Sequence, residues 1–234
     1  GIYNNAGSSS YLTISANTFS SVLHQTSTGA IHFIYNRGAS TNSISSIQIL
    51  NNSLSAFTFT ASSGPFYGIF NNATSFSSMS VGGNTLAAIS STTTSGARFF
   101  IYNTGTCSSV HSVTNNYVSN FTSLFNTTGA YNGIYTTGNN SGSLIIANNT
   151  FSNQLLTAST ASAFVIYNSG IISNSITING NVISGFTHSA STSGGFFGLY
   201  NNAASSENLQ MSSNSFSNLA LSSITGPAYM LYNR

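Results

Sequence analysis

A short, largely apolar segment that ends in an aromatic residue returns every 32 to 35 residues along this chain, and this repeat constrains the fold more than any other feature. We call it segment A. Its aromatic residues are Tyr3, Tyr35, Phe70, Tyr102, Tyr135, Tyr167, Tyr200 and Tyr232. A polar residue follows each of them directly, and it is Asn in every repeat except at Thr136. Self-similarity at a fixed period of this length indicates an architecture in which each unit packs on the next.

A second pattern lies between successive A segments and is centred on an Asn. These residues, the bend Asn column, are Asn17, Asn52, Asn84, Asn116, Asn149, Asn181 and Asn214. Apolar residues lie two positions after each Asn, three before it and, except at His111, five before it. A further column five positions after the Asn is apolar except at Gln154. Apolar residues two apart are typical of a strand with one buried face, so we predict two strands, segments B and C, that meet at the Asn.

Together the segments predict an all-β fold, a parallel β-solenoid of about seven coils of 32 to 33 residues, with residues 1–234 as a single solenoid segment. We expect a right-handed β-helix, and seven steps of about 4.8 Å give a rod roughly 34 Å long. Helical repeats would need stripes of period 3.6 and good helix formers, whereas Ser, Thr, Asn and Gly dominate here. A thinner solenoid of about 16 residues per coil is less favoured, because segments A and B do not resemble each other.

The position two residues before each segment A aromatic predicts a longer, two-coil period. Its occupants are Gly1, Phe33, Gly68, Phe100, Gly133, Val165, Gly198 and Met230. Gly and a large side chain alternate without exception, so the duplicated unit is about 65 residues long. We expect each large side chain to lean over the gap that a Gly leaves on a neighbouring coil.

Alternation along segment A predicts that the aromatic and this Gly or large position share one face, while residues such as Ile34 and His32 share the other. Both faces are then largely apolar, and a strand that is apolar on both faces is usually covered on both. One face lines the solenoid core. The other is covered either by a loop of the same coil or by lateral contact with another solenoid or domain.

The bend Asn column has a structural and a functional interpretation. Stacked Asn side chains can form an amide ladder, and Asn tolerates the left-handed backbone that a bend needs. The alternative is a ligand-binding column. A Gly column also precedes the segment A aromatics by six positions, and we expect turn conformations there. Its members are Gly29, Gly64, Gly96, Gly129, Gly194 and Gly226, with Ala161 in the remaining coil.

The near absence of charge limits the chemistry that the chain can perform. Its charged residues are Arg37, Arg98, Arg234 and Glu207. Glycoside hydrolysis ordinarily uses two carboxylates, and a Ser-His-Asp triad needs an Asp that the chain lacks. Three scattered Arg cannot neutralise a phosphate backbone, and no apolar run reaches the length of a membrane span. We therefore expect no enzymatic activity, no catalytic residue, no metal or other cofactor, no nucleic-acid partner and no membrane insertion.

One pair of residues keeps a catalytic alternative open. Cys107 and His111 are four residues apart, so a thiolate-imidazole pair is conceivable. The competing interpretation is a free thiol in a turn beside a His that replaces the usual Leu or Ile of its column.

The phrases Gly-Ile-Tyr-Asn-Asn and Leu-x-Ile-x-x-Asn-x-Phe, the latter at 12–19 and 144–151, resemble the parallel β-helix repeat regions of giant secreted surface proteins of Bacteroidota-type bacteria. This resemblance covers the whole chain and implies an extracellular or cell-surface location and a structural or adhesive role as a rod, stalk or filament. It offers no catalytic residues. The alternative is a carbohydrate-binding or carbohydrate-processing β-helix whose active residues lie elsewhere in a longer chain.

The boundaries of the sequence favour an internal piece of a longer repeat array. The chain starts and stops inside segment A, and solenoids need polar caps at their ends. The expected partners are further repeats of the same chain. Self-association into filaments or bundles, through the segment A aromatics, and a glycan surface formed by Tyr and Asn are the other partner hypotheses.

Overall fold

A computed structural model describes residues 1–5, 10–25, 28–38, 44–60, 63–73, 75–92, 95–123, 128–157, 160–189, 193–203, 207–222 and 225–234. Within these residues every regular element is a β-strand, and each coil contributes one strand to each of three parallel sheets. Sheet A contains segment A, in the order β1 (Ile2–Asn4), β4 (Ile31–Asn36), β7 (Phe66–Asn71), β10 (Arg98–Asn103), β14 (Tyr131–Thr136), β17 (Ala163–Asn168), β20 (Phe196–Asn201) and β24 (Ala228–Asn233).

Segments B and C form the other two sheets. Sheet B runs β2 (Tyr11–Ser15), β5 (Ile44–Leu50), β8 (Ser75–Gly82), β11 (Thr106–Thr114), β15 (Ser143–Ala147), β18 (Ser175–Asn179) and β21 (Asn208–Ser212). Sheet C runs β3 (Thr18–Gln25), β6 (Ser53–Thr60), β9 (Thr85–Ser91), β12 (Tyr117–Ser119), β16 (Thr150–Thr157), β19 (Val182–Ser189) and β22 (Ser215–Ser217), with β13 (Thr122–Ser123) and β23 (Ala220–Ser222) as short continuations. The predicted parallel β-solenoid is confirmed.

The register of the sheets follows the sequence repeat. Tyr3 pairs with Tyr35, Ile47 with Met79 and Phe151 with Ile183, so each residue lies over its equivalent in the next coil. Inward side chains of all three sheets form one continuous core, for example Phe57, Phe66 and Val81. The period-2 patterns of segments B and C therefore predicted the buried faces correctly.

Segment A does not alternate as predicted. Phe33 and Ile34 are both buried, whereas His32 and Tyr35 lie outside and stack on each other with ring centroids 4.5 Å apart. The ladder between β4 and β7 has no register pair at Phe33. Two adjacent side chains thus point inward, and the prediction that the aromatic shares a face with the Gly or large position is wrong.

The two-coil alternation reflects size matching across the core. A Cβ added at Gly133 would overlap the ring of Phe151, which lies in sheet C of the same coil, and also the backbone of Val165. Gly198 has the same relation to Phe216. A side chain of sheet C therefore fills most of the gap that the Gly leaves. We had predicted that the large side chain of the neighbouring coil would fill it, and that prediction is wrong.

The left-handed residues of each coil are neighbours of the bend Asn, not the Asn itself. The residues directly before it have φ of 55° to 65° and are Ala16, Asn51, Gly83, Asn115, Asn148, Gly180 and Ser213. A second set four residues after it has φ of 52° to 62°. The predicted left-handed bend Asn is therefore wrong. In the five central coils the residue before it is Asn or Gly, which adopts this conformation at low cost, and the terminal coils have Ala16 and Ser213 there.

The Gly column before segment A does not supply left-handed turns either. Its members are absent from the positive-φ glycines, which are Gly83, Gly180 and Gly185. A Cβ on Gly96 would instead overlap the carbonyl group of Gly64 directly over it, and one on Gly129 would overlap that of Gly96. Close approach of stacked backbones explains these glycines.

Candidate functional site

The bend Asn column forms the predicted amide ladder. In the central rungs, the backbone N–H of Asn84 and its Nδ2 both donate to Oδ1 of Asn116, at 3.1 and 2.9 Å. Nδ2 of Asn84 also donates to the carbonyl oxygen of Ile49 at 2.8 Å. From Asn52 to Asn181 the ladder side chains are at most 4% exposed. Both amide hydrogens and the oxygen are used within the stack, which favours the structural over the ligand-binding interpretation.

A second amide ladder, which we did not predict, follows the segment A aromatics. Asn4 donates to Asn36, Asn36 to Asn71 and Asn71 to Asn103, each at 2.7 Å between Nδ2 and Oδ1. Thr136 then interrupts the amide run, and Asn103 Nδ2 donates instead to the carbonyl oxygen of Gly105. The ladder resumes as Thr136 Oγ1 donates to Asn168, and ends at Asn201 and Asn233. The Asn that follows every segment A aromatic except Tyr135 was the available sequence signal.

The outer side of sheet A carries two parallel columns of rings, which we name the aromatic face. One column is formed by Tyr3, Tyr35, Phe70, Tyr102, Tyr135, Tyr167, Tyr200 and Tyr232, and the other by His32, Tyr67, Phe99, Phe164, Phe197 and Tyr229. Tyr35 and Phe70 stack at 4.9 Å and 3°, and Tyr167 and Tyr200 at 5.1 Å and 13°. Most rings are half-buried, and Tyr3 is 57% exposed. The aromatic residues predicted as an axial column thus do form one.

Most neighbouring rings within a column are nearly parallel to each other, whereas beside the groove the rings of the two columns are steeply inclined, as in Phe164 and Tyr167 at 74°. Neighbouring coils therefore cover at least one face of most rings, and the ring edges are what an approaching molecule meets. In the first column of the described face the stacking is interrupted twice, where Tyr3 meets Tyr35 edge-on at 67° and where Tyr135 meets Tyr102 edge-on at 74°. At the second interruption the other column has Asn132 in place of a ring. Toward β24 a shallow groove of about 340 Å³ runs between the columns, lined by Phe164, Tyr167, Phe197, Tyr200, Pro227, Tyr229 and Tyr232.

Arg98 is buried in the core, a position that sequence reasoning did not assign. It is 1% exposed and lies in register with Phe66 and Tyr131. Its Nη1 donates to the carbonyl oxygen of Gly129 at 3.0 Å, and its Nη2 to Ser91 Oγ at 3.3 Å. Burial lowers the pKa of Arg98 to about 10, so the guanidinium is still protonated at neutral pH. Glu207, the one acidic residue in the sequence, is exposed.

Cys107 and His111 are both buried, but their environments disfavour a thiolate-imidazolium pair. Cys107 Sγ donates to the carbonyl oxygen of Ser77 at 3.2 Å, and burial raises the pKa of the thiol. Burial lowers the pKa of His111 to about 4, and its Nε2 has no hydrogen-bond partner. Each shift favours the neutral form of its group, which is the opposite of what an activated cysteine requires.

The remaining histidines do not converge. His32 belongs to the aromatic face, and His188 is fully buried in sheet C. Among the described residues, no three His, Cys, Asp or Glu side chains lie close enough together to hold a metal ion. The same residues contain no helix with the length and apolar character needed to cross a membrane.

No protein-family model, curated protein or solved structure matches the chain. The resemblance to Bacteroidota-type surface repeats therefore stays a prediction based on the repeat phrases themselves.

Proposed function

We propose that this chain is a structural repeat segment of an extracellular rod, stalk or filament, with an adhesive role at the cell surface and no enzymatic activity. The observation that carries this proposal is the continuity of the bend Asn ladder and of the core along the axis, with a second amide ladder that is broken only at Thr136. The buried Asn side chains, which could otherwise bind a ligand, hydrogen-bond to their equivalents in the next coil, as Asn84 does to Asn116. Such an arrangement favours a rod whose units each contact their neighbours.

The distribution of ionisable groups supports a role without catalysis. Hydrolysis of glycosidic bonds ordinarily needs two carboxyl groups on either side of the substrate, and the sequence has Glu207 alone. The partners that we propose are further repeats of the same chain, with neither nucleic acid nor membrane insertion. An extracellular location is proposed from the resemblance of the repeat phrases to secreted surface proteins.

A polysaccharide panel tests the non-enzymatic part of this proposal. Incubation of the chain with plant, algal and bacterial polysaccharides should release no reducing ends above a buffer control. Cleavage by the wild-type chain would overturn the proposal. Cleavage that persists in Glu207→Gln would further show that the chemistry does not depend on a carboxylate. Adhesion is tested by displaying the chain on non-adherent cells, which should then attach to surfaces that control cells do not bind.

A carbohydrate-binding role is the second candidate, and the groove on the aromatic face favours it. The groove is open, and six of its lining residues are aromatic. Aromatic side chains with a few polar groups are common in ligand sites. Binding of a glycan on an array, lost in Tyr200→Ala and retained in the sheet C variant Thr187→Ala, would favour this candidate.

A further inference from the structure

We infer that the aromatic face is a self-association surface, and that its occupant is the aromatic face of a second copy of this chain. This inference rests on the proposed structural role and names the partner through which the rods would bundle. Contiguous exposed apolar patches larger than a few hundred Å² are rare on monomeric proteins and mark interaction sites. Here the patch extends without a gap in its main column from Tyr3 to Tyr232.

The area of the face suits a dimer. A six-residue strand is about 20 Å long, and seven coil steps add about 34 Å along the axis, so the face covers about 700 Å² per copy. Two copies would then bury about 1,400 Å², which lies within the range of specific protein interfaces. The described part of the face carries no acidic residue, and Arg37, which interacts with Tyr3, lies at one end. Repulsion between like charges is therefore small.

Repeat spacing selects a second copy over other partners. The ring centroids of neighbouring residues in the column are 4.4 Å apart between Tyr135 and Tyr167 and 5.3 Å apart between Tyr102 and Tyr135. A second copy has the same axial period, so its ring columns can fit beside and between those of the first copy at every coil. Identical side chains pack in this way between paired sheets. A partner with another period would lose this match after a few rungs.

Ring orientation also disfavours a sugar polymer as the main occupant. Sugars stack on ring faces, and here most rings have at least one face covered by a parallel ring of an adjacent coil. The groove residues Phe164 and Phe197 stack on each other at 4.7 Å, and Tyr200 and Tyr232 do the same. The exposed ring edges instead suit packing against the exposed ring edges of a second copy.

Sedimentation velocity of the chain at concentrations from about 1 to 200 μM tests the inference. The wild type should show a concentration-dependent monomer-dimer equilibrium. Phe164→Lys with Phe197→Lys should weaken it at least tenfold in Kd. The matched control, Thr58→Lys with Thr187→Lys, adds the same charge to the outer face of sheet C and should dimerise like the wild type.

Circular dichroism should show the same β content and cooperative melting in all three proteins, and Phe197→Ser replaces the Lys pair if that variant does not fold. A wild type that is monomeric throughout, or equal dimerisation of the wild type and the aromatic variant, would overturn the inference. Binding of cellohexaose or chitohexaose by a monomeric wild type would assign the face to glycans instead. Polysaccharide cleavage would contradict the proposed function separately, whatever the oligomeric state.

Discussion

At the residue scale, the buried His111 makes the stability of the fold depend on pH. It occupies a core column in which the neighbouring coils place Met79 and Leu144. Burial lowers its folded-state pKa to about 4, below the 6.5 of an exposed His. The unfolded chain therefore binds a proton first as the pH falls. The contribution of His111 to the free energy of unfolding is therefore fully present above pH 6.5. As the pH falls toward 4, this contribution should decrease by about 3 kcal/mol.

Urea unfolding of the wild type and His111→Leu at pH 7.5 and pH 4.5 measures this effect. The difference in free energy of unfolding between the two proteins should grow as the pH falls, because Leu does not titrate. Leu144→His places an imidazole one coil away in the same column and should steepen the pH dependence. A difference between the wild type and His111→Leu that does not change with pH would contradict the assignment.

At the element scale, the bend Asn ladder should be the most sensitive polar feature of the fold. Asn116 accepts two hydrogen bonds from Asn84 and donates three, to Asn149 and Val81. Asn116→Ala would leave several buried groups without partners, each costing about 1–3 kcal/mol. We expect a loss of about 3 kcal/mol or more in the free energy of unfolding, measured by urea denaturation.

The exposed Asn208 of β21 provides the matched control. Asn208→Ala should change the free energy of unfolding by less than about 0.5 kcal/mol. If the two substitutions lowered the free energy of unfolding equally, the hydrogen bonds of the ladder would add no more stability than an exposed Asn does.

These elements also show how far sequence reasoning extends. The bend Asn spacing predicted the stacked coils, because hydrogen bonding between equivalent amides requires a constant repeat. Segment A was misassigned since Phe33 and Ile34 are both apolar, and a run of apolar residues does not reveal which of them turns inward. The burial of Arg98 was missed for another reason: its column holds Phe66 and Tyr131 in adjacent coils, and nothing local to the Arg marks it as a core residue.

At the scale of the whole molecule, the two-coil alternation should determine which deletions the rod tolerates. Removal of residues 68–132, a 65-residue unit, joins Tyr67 to Gly133 and preserves both the segment A pattern, with Tyr135 and Thr136 in the places of Phe70 and Asn71, and the Gly-large alternation. The size match of Gly133 with Phe151 is kept as well. We expect this shortened chain to fold with cooperative melting and β-rich circular dichroism.

Removal of the single coil 68–99 is the matched comparison, because it also restores a continuous segment A but joins Tyr67 to Phe100. Phe33 and Phe100 would then occupy adjacent coils, where Phe33 already contacts Phe57 and Phe66. Overpacking of this kind typically costs about 1–3 kcal/mol. The one-coil deletion should therefore melt at a lower temperature than the two-coil deletion, although it keeps more of the chain. The reverse order would show that the core has no two-coil unit and that each coil adapts to whichever neighbour it receives.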